Sequence, residues 1–248
     1  MRLFLHQLRA DQLVFWRNRE SAIFVYLFPV LLFLLLGTVY GGTYEGRPVV
    51  DYLVASLIAY GVANTAFGGL AIMLVVRREL GILKRIRSTP LPAATYVAAA
   101  LGSIVVVFVL QTATILLLGK LVYDAHLPSD WLSVALAVAL GAAAFCGMGL
   151  AAAALIRSAE GAAAVVNVIV LPMTFLSGGF GPTRDFPEFL QTIADVLPLT
   201  YFVDIVVGIF IDGDAIWTKP GAVAVLVLWG LIGAAIAARR FRWEPRQG

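Results

Sequence analysis

The chain has 248 residues, 61% of them hydrophobic and only 13% charged, with a mean hydropathy of +0.92 and a formal net charge of +3. A soluble domain carries about twice that share of charge, and soluble buried helices need polar faces that these apolar runs lack, so a soluble fold is excluded. The lone cysteine, Cys146, rules out an intramolecular disulfide and leaves the redox compartment open.

At the start of the chain, Phe4, Leu5, Leu8, Phe15 and Trp16 share one helical face with Arg2 and Arg9 opposite, which predicts an interfacial helix over 1–20. Six apolar runs follow, at 23–40, 52–76, 96–119, 131–156, 161–180 and 221–238. A helical crossing takes roughly 20 residues, so each run is long enough to span a bilayer with some tilt. The first is too long for the core of a cleavable signal peptide, and no small-residue cleavage site follows it. A shorter run at 199–211 contains Asp204 and reaches only about 20 Å as a helix, so the segment 185–211 is expected to dip into the membrane and return. The expectation is an all-α polytopic membrane protein forming a single transmembrane domain over 1–248.

Charge orients these spans. Residues 1–22, 77–95, 157–160 and 239–248 hold 14 of the 18 Lys/Arg and 5 of the 15 acids, whereas 41–51, 120–130 and 181–220 hold 4 and 10. By the positive-inside rule the basic side is expected to be cytoplasmic, with both termini inside and an even number of spans. Basic residues hugging span ends are explained by snorkelling and lipid headgroups, so no nucleic-acid partner is expected.

The spans so bounded contain no charged residue, which disfavours an ion-coupled carrier. Their notable polar groups are Asn64, Thr65, Gln111, Thr112 and Asn167, suited to hydrogen bonds between helices or to a substrate pathway. Gly61, Thr65 and Gly69 make a small-residue stripe on the second run, and Ala143, Gly147 and Ala151 make one on the fourth. Such stripes let helix backbones approach closely, within the chain or with a second copy.

Catalytic readings fail on chemistry. "LSGGF" at 176–180 matches a nucleotide-contacting loop of transporter ATPases, yet the one Gly-Lys pair, Gly119-Lys120, is followed by Leu121 and forms no phosphate-cradling loop. The two histidines, His6 and His126, lie outside the spans, so no Ser–His dyad is expected within the bilayer. One cysteine and two distant histidines do not make a metal site. No catalytic residue, metal or cofactor is expected on this chain.

The informative loop is "RRELGILKRIRSTPLPAAT" at 77–95. Read as a helix over 79–87, it places Ile82, Leu83 and Ile86 on one face and Lys84 and Arg85 away from them. Pro90 and Pro92 then stop it. Such a helix either lies on anionic headgroups or docks a cytoplasmic protein.

Arg78, Glu79, Gly81, the run Leu83–Arg87, Thr89 and Pro90 together resemble the loop of the ABC transporter type-two permeases, the membrane subunits of drug, lipid and polysaccharide exporters. One departure is Ile82, where members usually carry Thr. A second block also resembles the family: Pro172, Phe175–Gly178, the outer stretch 185–198, and Pro198–Tyr201 followed by Asp204. The resemblance implies that the loop is a coupling helix seated in a cleft of a separate ATPase, which holds the ATP and Mg2+. Arg78, Glu79, Gly81, Ile82, Leu83, Arg85, Ile86, Arg87, Thr89 and Pro90 would form that coupling site. It further implies two ATPase copies, a second permease subunit (identical or not) and a bacterial inner-membrane setting. Asn64, Gln111, Asn167, Phe175, Ser177, Phe180, Pro198 and Tyr201 are the candidates for the pathway and outer gate. The expected cargo is a hydrophobic drug-like molecule. The alternatives are a lipid or lipid-linked polysaccharide, or, outside this class, a non-ABC carrier or scaffold.

Overall fold

A computed structural model describes residues 2–44, 46–89, 91–181, 183 and 186–241, with the backbone alone at 21, 44, 87 and 93. Among the described residues the regular structure is helical apart from a short hairpin that pairs Thr43–Tyr44 with Arg47–Pro48. In chain order the helices are α1 (Arg2–Arg17), α2 (Ala22–Val39), α3 (Val49–Glu79), α4 (Ile82–Arg87) and α5 (Ala93–Tyr123). Then come α6 (Trp131–Leu155), α7 (Ala159–Leu176), α8 (Glu188–Ala194), α9 (Pro198–Asp212) and α10 (Pro220–Arg240). Among the described residues, α2, α3, α5, α6, α7 and α10 are long and apolar enough to cross a membrane, so this is an all-α polytopic membrane protein.

Helix α3 is the core of the bundle. The most apolar stretch of α3 is 78% buried, against 22% for α2 and for α10, whose outer faces suit lipid. Glycine sets the closest packing. A Cβ on Gly147 of α6 would stand 2.5 Å from the Gly230 carbonyl oxygen of α10, and one on Gly149 would stand 2.8 Å from the carbonyl oxygens of Ala66 and Phe67 in α3. Both contacts are with backbone, which cannot swing aside as a flexible side chain can. The small stripes therefore serve packing within the chain at Gly147. On α3 the same holds for Gly61, which sits against the Gln111 side chain, and for Thr65, which is fully buried.

Helices α2, α3 and α9 carry π-helical turns, and neighbouring helices meet the first two. Helix α2 opens with a π-helical turn at Ala22–Leu27, and Gln111 of α5 donates from Nε2 to the Val25 and Tyr26 carbonyls, each at 3.0 Å. In an apolar medium a displaced carbonyl must find such a donor. Helix α3 carries a second π-helical turn at Asn64–Gly69, the one that α6 approaches through Gly149.

Several boundaries differ from those expected. Helix α3 runs from Val49 to Glu79, so it carries Asp51 at one end and Arg77, Arg78 and Glu79 at the other. The loop helix starts at Ile82 rather than at residue 79, because Gly81 takes a left-handed conformation (φ +68°) that ends one helix and starts the next. The fifth span ends at Leu176 rather than 180, with Gly178 (φ +76°) turning the chain. Asp130 caps α6 through the backbone N–H groups of Leu132 and Ser133. Hydrogen bonds from the Ser133 hydroxyl and these amides hold its carboxyl below the usual range.

Helices α8 and α9 are bent by 88° against each other, with Pro198 at the first turn of α9. Thr200 donates to the Ala194 carbonyl at 2.7 Å and Tyr201 to the Asp195 carbonyl at 2.6 Å, so both hydroxyls brace the bend.

Candidate functional site

At the basic end of the bundle, three segments distant in sequence are bolted together. Arg78 is 1% exposed and reaches across to α6, donating to the Ala153 carbonyl at 2.8 Å and the Ile156 carbonyl at 2.6 Å. These carbonyls belong to the C-terminal turn of α6, where a cation is favoured by the helix dipole. Arg77, beside it, pairs with Asp11 of α1 at 2.8 Å and donates to the Tyr96 hydroxyl of α5 at 2.9 Å. Gln7 donates to the same Asp11 oxygen at 3.0 Å, and Gln12 donates to Ser103 of α5 at 2.8 Å. The last turn of α3 thus holds α1 and α5 through Arg77 and α6 through Arg78.

Helix α4 hangs directly from this junction. Leu83 is fully buried within the chain, while Ile82 and Ile86 are half-buried. Leu80, 64% exposed, and the exposed Lys84, Arg85, Ser88 and Thr89 form the outward surface. Glu79 is half-buried beside them. Of the coupling residues, Arg78 and Leu83 are therefore internal anchors rather than surface, whereas Arg85 and Thr89 are surface. The Arg87 side chain and Pro90 lie outside the described residues.

At the opposite end, the "LSGGF" stretch forms a tight turn. Gly179 packs onto Thr174, the Ser177 and Thr200 hydroxyls share a hydrogen bond of 2.9 Å, and Tyr52 of α3 donates to the Gly178 carbonyl at 3.2 Å. Phe180 makes edge-on contacts with Phe175 at 5.1 Å and with the buried Tyr60 at 5.4 Å between centroids. Ser177 is 4% exposed and Pro198 is buried, so both are structural parts of this cap. Phe175 is 62% exposed.

The polar residues of the spans separate cleanly. Gln111 is 1% exposed and spent on the α2 carbonyls, and Asn64 is half-buried on the π-helical turn of α3. Asn167 is exposed on α7, in a stripe with Ala163, Ala164, Val168, Leu171 and Phe175. An amide facing outward at mid-span is costly against hydrocarbon, so this face suits protein or a water-lined path.

Sequence reasoning missed the Asp11–Arg77–Tyr96 cluster and the buried Asp51. A signal for the first was present: Asp11 falls on the same helical face as Phe4, Leu8 and Phe15, a lone acid on an apolar stripe. Asp51 accepts from the His126 backbone N–H and pairs with its Nδ1, both at 2.8 Å, tying α3 to the loop before α6. No local pattern marks that pair.

With this geometry in place, known proteins supply the family. The family described as ABC-2 type transporter matches residues 2–211. YvfS of Bacillus subtilis (strain 168), named a transport permease, is 27% identical over 188 residues, 75% of this chain and 76% of its own. YhhJ of Escherichia coli (strain K12), named an inner membrane transport permease, is 27% identical over 175 residues, and the match covers 68% of this chain but 46% of YhhJ. YadH of the same strain, likewise named an inner membrane transport permease, is 24% identical over 178 residues, 70% of this chain and 68% of its own. The chain belongs to the ABC-2 type transporter family, as a membrane-embedded transport subunit.

Proposed function

We propose that this chain is the permease subunit of an ATP-driven exporter in a bacterial inner membrane, with both termini cytoplasmic and α4 presented to a separate ABC ATPase. The ATPase, in two copies, binds ATP and Mg2+, and two permease subunits form the pathway. The charge asymmetry of the loops supports the orientation, and the names of YhhJ and YadH support the membrane.

The observation that carries the reading is the fixing of α4. A docking helix transmits force only if it is joined rigidly to the spans it moves, and Arg77 and Arg78 provide that joint at 2.6–2.9 Å to three other helices. Motion of an ATPase gripping Leu80, Lys84, Arg85 and Thr89 then passes to α3 and through it to α1, α5 and α6. Glu79 is an ion-pair candidate for the same partner, and half-buried Ile82 and Ile86 give it apolar contact. The cargo is a hydrophobic drug-like molecule moving along the α7 stripe of Asn167 and Phe175, between the two subunits. The Phe180–Tyr60 cap and the re-entrant α8–α9 pair close the outer end.

The test is ATP turnover by the co-purified ATPase. Reversing Lys84 and Arg85 to Glu is expected to abolish permease-dependent stimulation, about tenfold or more if two desolvated charge contacts are lost, while membrane insertion and yield stay unchanged. Stimulation equal to wild type would overturn the coupling surface.

A further inference from the structure

Helix α1 carries an outer face that neither the coupling joint nor the transport pathway uses. Its inner face is held by protein: Asp11 pairs with Arg77, and a Cβ on Gly102 of α5 would meet Leu8 at 3.2 Å and Phe4 at 3.3 Å. Phe4 and Leu8 therefore pack inward. Of the apolar face expected at the membrane interface, Leu5 and Trp16 remain exposed.

Charge on the outer face has one sign. At about 100° per residue, Arg2, Arg9 and Arg17 fall within an arc of about 80° on the side opposite Leu8 and Asp11, and all three are exposed. Asp11 is the one acid between residues 2 and 17, and it is buried and spent on Arg77. The outward surface of α1 is thus cationic with no acid to offset it.

Connectivity and Trp16 place this face against the bilayer. Helix α1 ends at Arg17 and the first span begins at Ala22, so the helix cannot leave the membrane surface. The Trp16 ring meets Tyr26, inside that span, edge-on at 5.2 Å. Its indole N–H donates to Gln12 at 3.0 Å, and Gln12 in turn donates to Ser103 of α5, which fixes the roll of the helix. The side bearing Leu5 and Trp16 therefore faces hydrocarbon, and the arginines, further round the helix, stand at headgroup depth. Tryptophan suits that boundary, and basic residues above buried apolar ones favour anionic headgroups.

We infer that the outer face of α1 binds anionic phospholipid, with Arg2, Arg9 and Arg17 on the headgroups and Leu5 and Trp16 against the acyl chains. Assignment to the cytoplasmic leaflet rests on the orientation proposed above. The preference for anionic lipid rests on the face itself. Because Asp11 on the opposite face holds Arg77, lipid bound to α1 steadies the joint from which α4 hangs.

The experiment uses the purified full chain and two probes, phosphatidylglycerol and phosphatidylcholine with the same brominated acyl chains, whose bromines quench tryptophan fluorescence on contact. The signal of Trp16 is the difference between wild type and Trp16→Phe. Phosphatidylglycerol is expected to quench it at a mole fraction about tenfold lower, or less, than phosphatidylcholine requires. That preference should vanish at about 1 M salt, where screening shortens to about 3 Å, an arm that needs no variant. Arg2→Gln, Arg9→Gln and Arg17→Gln should each reduce the preference about fivefold, the effect of one basic residue near an anionic surface. Lys120→Gln, in the last turn of α5 at the opposite end of the bundle, should leave it unchanged. Equal quenching by the two lipids, or a preference that survives all three arginine substitutions together, overturns the arginine surface. Absence of quenching by either lipid overturns the lipid contact and shows protein on this face. No readout here involves ATP or a partner, so failure is distinct from failure of the coupling surface.

Discussion

Asp11 and Arg77 show what a single buried pair can do in this chain. Their side chains are 3% and 10% exposed, and they join a helix at the start of the sequence to the end of α3. Removing one partner from such a pair strands a charge and costs about 3–5 kcal/mol, whereas removing both costs much less. Asp11→Asn and Arg77→Gln should each lower the melting temperature in detergent strongly, while the double variant recovers a large part of the loss. Additive losses would show that the two side chains do not depend on each other. Arg78 differs in kind, since it donates to two backbone carbonyls that no substitution elsewhere can remove.

At the scale of elements, glycine decides how closely α6 can pack. Its faces meet α10 through Gly147, Gly230 and Gly233, and α3 through Gly149. Gly147→Val would drive a branched side chain into the α10 backbone, so α6 and α10 must separate. Overpacking of this kind costs about 1–3 kcal/mol. The expected result is a lower melting temperature, with Ala143→Val at an exposed position of the same helix close to wild type. Equal effects at 143 and 147 would contradict the packing. That the chain is all-α with six membrane-crossing helices was readable in the sequence because a bilayer imposes a length and a polarity that soluble folds do not. The start of α4 was not. A periodicity of 3.6 runs smoothly through residues 79–87, and only the left-handed Gly81 interrupts it. The π-helical turn of α2 was equally hidden, since the side chain that meets its displaced carbonyls, Gln111, lies far away on α5.

Over the whole molecule, one end is a rigid junction and the other a capped turn, with α3 running between them. Family membership was legible because two short blocks, the loop after α3 and the stretch after α7, carry compositions that membrane insertion alone does not require. The distribution of roles within those blocks was not legible. Leu83 belongs to the internal anchor and Leu80 to the surface, a distinction fixed by where Gly81 turns the chain. Gln111 proved to be a tie between helices and Asn167 an outward-facing amide, although both read alike as lone polar residues in apolar runs. The central claim is that α4 passes an ATPase's motion to the spans. Its most direct test is dye movement into inside-out vesicles holding this chain and its ATPase. A hydrophobic dye should accumulate only when ATP and Mg2+ are supplied, and accumulation should vanish when Lys84 and Arg85 are reversed to Glu. Accumulation without ATP, or unchanged by that reversal, would contradict it.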